Sequence, residues 1–233
     1  MTADPHPHPP QPLAGRTDPA PIRDSYDRVA GLYAQAYGDE LDSRPLDRAM
    51  LAAFAEQVPR GLPVADVGCG PGHVTAHLAA LGVPALGIDL SPGMVGEAAA
   101  RHPELEFRTG TMLALDVPDG AWAGVVCFYA LIHLTAPERA AAVAEFARVL
   151  CPGGLLLAAF HIDGPMAEAG GVVHAQSLLD QPVSLDFHFI DPDELAAACT
   201  AAGLPVQARL DRTPYPQDVP TRRSYLIAAK PRA

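Results

Sequence analysis

Asp66-Val67-Gly68-Cys69-Gly70-Pro71-Gly72 constrains this chain more than any other stretch. It follows the apolar run Leu62-Pro63-Val64-Ala65 and leads into His73-Val74-Thr75-Ala76-His77-Leu78-Ala79-Ala80-Leu81-Gly82. The first run reads as a buried strand, the second as a short helix closed by glycine. The glycines between them permit positive φ and carry no Cβ to hold a ligand off the backbone. A strand, a glycine turn and a helix N-terminus form a cradle of nucleotide size. The dinucleotide-binding pattern G-x-G-x-x-G fits poorly, because His73 stands where a small residue is needed.

Asp89 is the second anchor. It ends a further apolar strand, Val83-Pro84-Ala85-Leu86-Gly87-Ile88. A carboxylate at a strand tip can accept two hydrogen bonds from a ribose diol. Ser91 is placed as an N-cap and Pro92 at the first helical position. The spacing G-x-G-x-G, with Asp66 two residues ahead of it, resembles the first motif of the class I S-adenosylmethionine-dependent methyltransferases. Gly87-Ile88-Asp89-Leu90-Ser91-Pro92-Gly93-Met94 is similar to their next segment, and Tyr26-Asp27-Arg28-Val29-Ala30-Gly31-Leu32-Tyr33 to the N-terminal segment of many small bacterial members. The resemblance runs over residues 23–231, with its specific motifs between 64 and 161. It implies an α/β Rossmann-like methyltransferase sandwich. Its sheet is seven-stranded and mostly parallel, with the last strand antiparallel, under an N-terminal helical lid.

The rest of the chain alternates in the same sense. Residues 1–22 hold seven prolines and little apolar periodicity, which predicts a disordered tail with His6 and His8 in it. One domain is expected over 23–233: a helical lid at 23–59, a cofactor-binding core at 62–161, a substrate-side insertion at 162–190, and a C-terminal helix and strands at 191–233. Ser25 reads as the cap of the first lid helix. Tyr26, Val29, Ala30, Tyr33 and Tyr37 share one face of it. Strands are expected at 105–109, 123–129 and 155–160, and Thr135-Ala136-Pro137-Glu138 is a capping box. Parallel strands alternating with amphipathic helices predict a sheet covered on both faces. Strands at 206–210 and 224–229 close the chain, where a flavodoxin-like domain would finish on a helix.

Composition narrows the partners. With 233 residues and 49% hydrophobic content, the chain can bury one substantial core. A net charge of −11 argues against nucleic acid, whose phosphates need basic surface. Cys69, Cys127, Cys151 and Cys199 form no C-x-x-C pair, so neither zinc nor a redox motif is expected. No apolar run approaches membrane-spanning length and no signal-peptide core is visible, so a cytoplasmic protein is expected, as a monomer or homodimer.

The resemblance also assigns roles. S-adenosyl-L-methionine is the implied cofactor. Gly68, Cys69, Gly70 and Gly72 would approach its methionine part, and Asp66 would help hold its amino group. Asp89 would bind the ribose, Leu90, Met94 and Met112 would flank the adenine, and Thr111 would lie near the adenine amino group. Tyr33 and Tyr129 complete the cofactor set. Methyl transfer needs alignment and dryness more than chemistry from the protein. Where the acceptor must lose a proton, His133 and His161 are candidate catalytic bases, because imidazole titrates near neutrality. Tyr26, Tyr37, His133, His161, Asp186 and His188 are candidate acceptor contacts, and no metal ligands are expected. The implied activity is methyl transfer to oxygen, nitrogen or carbon of a small molecule, possible in secondary metabolism. The alternatives are an NAD(P)-dependent oxidoreductase, for which the single lysine, Lys230, is badly placed, and a non-catalytic protein that only binds the cofactor.

Overall fold

The computed structural model describes residues 18–232. Helices α1 (Ala20–Tyr37) and α2 (Pro45–Gln57) come first, joined by a 3-10 turn at Glu40–Ser43. Then β1 (Val64–Val67), α3 (His73–Ala80), β2 (Ala85–Asp89), α4 (Pro92–Arg101), β3 (Glu106–Thr109) and β4 (Trp122–Phe128) alternate. A 3-10 turn at Leu131–His133 leads to α5 (Ala136–Val149) and β5 (Leu150–Asp163). A hairpin, β6 (Val172–Leu178) and β7 (Gln181–His188), precedes α6 (Pro192–Ala201), β8 (Val206–Arg212) and β9 (Arg222–Ala229).

The main sheet has seven strands in the order β3-β2-β1-β4-β5-β9-β8. β9 alone runs against its neighbours, β5 and β8. β1 and β4 are buried along their whole length. The unbroken apolar run of β4, and that of β1 save for Asp66, suit central parallel strands covered on both faces. One face packs α5 and α6 through Val143, Phe146 and Leu195. The other packs α2 and α3 through Leu51, Phe54 and Leu78. The capping box at Thr135 forms as the sequence predicts: the Glu138 carboxylate accepts from the Thr135 backbone N–H and the Thr135 hydroxyl.

Two expectations need correction. Helix α1 starts at Ala20, so residues 20–22 belong to it and not to a tail. Pro19 and Pro21 fit the first turn, where the missing N–H has no partner to lose, and the Asp18 carboxylate accepts from the Ala20 N–H at 3.0 Å. Ser25 is therefore mid-helix and not a cap; its hydroxyl accepts from the Ser184 N–H at 3.0 Å. His6 and His8 lie outside the described residues. The insertion folds as a hairpin, in which β6 pairs antiparallel with β7.

These changes build a roof. α1 is pinned to α4, where the Asp27 carboxylate accepts from the Gly93 N–H at 2.8 Å. It is pinned to β7 through Ser25 and through Arg28, which donates to the Pro182 carbonyl at 2.9 Å. Val29, Ala30 and Met94 form a small apolar cluster beneath, flanked by Tyr26, Tyr33, Leu178 and Val183.

Candidate active site

A pocket opens at the carboxyl ends of β1, β2 and β4, under α1. Its floor is the turn after β1. Gly68, Gly70 and Gly72 all have positive φ, at 81°, 52° and 85°. The turn is held to β2 by the Gly68 and Cys69 N–H groups, which donate to the Ile88 carbonyl at 2.7 and 3.0 Å. At Gly68 a Cβ would meet the Ala130 Cβ at 2.2 Å, whereas at Gly70 it would meet nothing within 4 Å. Gly68→Ala is therefore expected to lose roughly 2–3 kcal/mol, from left-handed strain plus overpacking, and Gly70→Ala only the strain. Thermal melts of the two variants check this: equal losses would mean that close packing against Ala130 is not what selects glycine at 68.

Asp89 ends β2 at the pocket wall. One carboxylate oxygen accepts from Gly70 N–H and the other from Ser91 N–H, each at 2.8 Å. Burial pushes its carboxyl above the ordinary value, against the pull of those amides. Asp66 is 1% exposed, and burial raises it to about 6 although the Thr75 hydroxyl donates to it at 2.7 Å. Ser91 caps α4, its hydroxyl accepting from Met94 N–H at 3.0 Å.

His133 sits on the 3-10 turn after β4. Its Nδ1 lies 3.0 Å from the main-chain carbonyl of Asp186, and its Nε2 lies 2.7 Å from the Tyr26 hydroxyl. A carbonyl only accepts, so Nδ1 carries the proton and Nε2 a lone pair that takes the phenolic hydrogen. Tyr26 and Phe187 meet the imidazole edge to face at 5.3 and 4.9 Å. Burial lowers the pKa of His133 to about 4 and holds the Tyr26 and Tyr33 hydroxyls above their usual range.

Of the residues singled out in the sequence, Tyr26, Tyr33, Asp66, Gly68, Cys69, Gly70, Asp89, Leu90, Met94, Thr111, Met112, Tyr129 and His133 line this pocket. Gly72 does not; it caps α3, and Phe107 fills the space where its side chain would project. Tyr37 stacks behind Tyr33 at 4.6 Å and is off the wall. His161 is corrected more firmly. It lies behind Tyr129, ring to ring at 5.1 Å, with Nδ1 bound to the Thr221 hydroxyl at 2.7 Å. Burial and the Arg223 charge push it down to about 3. The Asp186 carboxylate turns outward to His174 at 2.7 Å, so only its carbonyl reaches the site. His188 is half-buried on β7 and off the wall, lowered by burial and by Arg139.

Sequence reasoning missed Glu40 and His73, which face the glycine turn. Glu40 lies 3.3 Å from His73 Nε2 and 2.9 Å from Arg44. Against its burial, the hydrogen bond from His73 and the Arg44 charge hold its carboxyl below the ordinary value. Arg44 passes the chain on to Asp218 at 2.9 Å, which also accepts from Arg212, Arg223 and the Tyr215 N–H. Arg212 binds the Tyr225 hydroxyl at 2.9 Å, and Tyr225 donates to Asp47 at 2.8 Å. Tyr129, with φ 55°, donates its hydroxyl into the same network at Asp47, so it offers the pocket only a ring. The misfit of His73 in the dinucleotide pattern was the one visible signal of this clasp.

The donor set fits S-adenosylmethionine. Gly70 leaves open backbone, Asp89 offers a carboxylate at the wall, and Leu90 and Met112 are apolar walls for a base. His73 Nδ1 is buried and has no partner among the described residues; with Nε2 donating to Glu40 it is an acceptor that an ammonium group can satisfy. Among the described residues no three His, Cys, Asp or Glu side chains are grouped to hold a metal ion, and no helix is long and apolar enough to cross a membrane.

Comparison with known proteins agrees. Residues 64–154 match a family described as a methyltransferase domain. The ubiquinone biosynthesis O-methyltransferase of Xanthomonas axonopodis is 30% identical over 193 residues, covering 79% of this chain and 80% of that one. The malonyl-[acyl-carrier protein] O-methyltransferase of Yersinia pestis is 32% identical over 110 residues, 47% of this chain and 40% of that one. Among solved structures, the magnesium protoporphyrin IX methyltransferase of Synechocystis with bound S-adenosylmethionine superposes with a TM-score of 0.67 at 20% identity. It covers 94% of this chain and 99% of that one.

Proposed function

The chain belongs to the class I S-adenosylmethionine-dependent methyltransferases, and from that premise we propose that it methylates a small acceptor held between α1, β7 and the 3-10 turn at His133. The carrying observation is the pocket itself: cofactor-type residues and the bonded pair of Tyr26 and His133 line one cavity. The cofactor supplies a methyl group on a sulfonium, already activated, so the protein has only to align and exclude water. Asp89 would hold the ribose hydroxyls. The bare Nδ1 of His73 would accept from the ammonium group, with Glu40 fixing the ring. Leu90 and Met112 would face the adenine, with Thr111 at its edge. Tyr26 and Tyr33, half-buried in the roof, would keep water from the reacting end.

The net charge of −11 supports an uncharged small acceptor over a nucleic acid. Four buried, unpaired cysteines support a reducing interior such as the cytoplasm. Titration calorimetry with S-adenosylmethionine and S-adenosylhomocysteine tests the reading. Micromolar binding of both is expected; absence of heat for either ligand defeats it.

A further inference from the structure

We propose that Tyr26 and His133 form a proton relay that selects a neutral aromatic hydroxyl as the methyl acceptor. This rests on the methyltransferase reading above and adds the class of acceptor. The relay is already assembled. The Asp186 carbonyl fixes the proton on Nδ1 of His133, so Nε2 takes the Tyr26 phenolic hydrogen at 2.7 Å. No other hydrogen bond to the Tyr26 oxygen is present among the described residues, so its lone pairs are open to a hydroxyl arriving from the pocket. In the reaction, the acceptor O–H bond breaks and its proton passes to the Tyr26 oxygen. The phenolic proton of Tyr26 passes to Nε2 of His133. The new oxygen–methyl bond forms as the carbon–sulfur bond breaks, its electron pair staying on sulfur. The products are a methyl aryl ether, S-adenosylhomocysteine and an imidazolium that returns its proton to water.

The acceptor class follows from what the walls can and cannot do. A carboxylate or phosphate acceptor needs a free cation. The lining carries the carboxyl groups of Asp18, Glu40, Asp66, Asp89 and Glu138 against the single guanidinium of Arg23, itself paired to Asp24 at 2.9 Å, so an anion meets an acidic pocket. An alkyl ammonium must be deprotonated before it can attack, and a buried imidazole with its basicity lowered cannot do that. A phenol arrives neutral, and its proton becomes strongly acidic only as the methyl group is added, when even a weak base suffices. Tyr26, Tyr33 and Tyr129 offer aromatic rings to the same pocket.

Three measurements test this, the first without turnover. Nitrogen-15 NMR of the histidine-labelled protein is expected to show His133 protonated on Nδ1 and bare on Nε2 between pH 6 and 8; the opposite tautomer overturns the relay. The second uses matched probes, 2-naphthol, 2-naphthoate and 2-(aminomethyl)naphthalene, titrated in the presence of S-adenosylhomocysteine. Naphthol is expected to bind at least tenfold tighter than either charged probe and to be converted to its methyl ether with S-adenosylmethionine. Tyr26→Phe, which removes only the hydroxyl, is expected to lower kcat at least 30-fold with cofactor affinity within threefold. Equal or tighter binding of a charged probe, failure of naphthol to bind while the cofactor does, or an unchanged kcat in Tyr26→Phe overturns the proposal. Loss of cofactor binding by the wild-type protein overturns the methyltransferase reading beneath it as well.

Discussion

Asp89→Ala is expected to weaken S-adenosylmethionine binding by about 100-fold or more, with its Kd read by calorimetry. Hydrogen bonds to an ionised carboxylate contribute about 1.5–3 kcal/mol each, and a ribose diol offers two. Losing both removes about 3–5 kcal/mol, and each 1.4 kcal/mol is about a factor of ten. The variant also releases the Gly70 and Ser91 N–H groups that Asp89 now holds at 2.8 Å, so the glycine turn loses a strut. Asp89→Asn keeps the shape and one accepting oxygen, and about a tenfold loss is expected from it. A change below threefold in the alanine variant places the ribose elsewhere and removes Asp89 from the site.

Asp218→Ala carries the largest expected effect on stability, about 3–5 kcal/mol. Asp218 is the shared anion of three guanidinium groups, those of Arg44, Arg212 and Arg223. Arg44 keeps Glu40 and Arg212 keeps Asp47 when it goes. Arg223 is 2% exposed and keeps the Thr221 and Val219 carbonyls at 3.3 and 3.5 Å and the Tyr129 ring at 5.8 Å, but no carboxylate among the described residues. A buried cation with no counter-charge is the costly case; a missing ion pair as such is not. At about 2–4 °C per kcal/mol for a chain of this size, a fall in Tm of roughly 10 °C is expected. The double variant Asp218→Ala with Arg223→Met removes the stranded charge and is expected to recover most of the loss. If the double variant is no more stable than the single one, the cost lies in cavity formation and not in charge.

The helix and strand signals that were legible in the sequence are local ones. The turn at 68–72, the Asp89 strand tip, the Ser91 cap and the Thr135 capping box each declare themselves within a few residues, and the structure forms them. In the β6–β7 hairpin only the alternation over 185–189 is a strand signal; its turn uses Leu179 and Asp180, with φ of 52° and 60°, where Asn-Gly is the usual signal. His161 was misjudged because a position at a strand end does not say which way the side chain leaves. Its ring went to Thr221, 60 residues away. The clasp of Glu40, Arg44 and Asp218, and the bond from Tyr225 to Asp47 across 178 residues, have no local signature at all. Charge placed by tertiary contact is invisible to periodicity.

The place of β9 has a consequence for how the molecule is made. β8 leaves the ribosome before β9, yet its only neighbour in the sheet is β9, which must slide between it and β5. Until those eight residues emerge, β8 has nothing to pair with and β5 shows an open edge. Asp47 meanwhile waits without Tyr225 or Arg212. Vectorial synthesis can therefore shape the first four strands early, while the half of the molecule that seats the clasp locks late, in one concerted insertion.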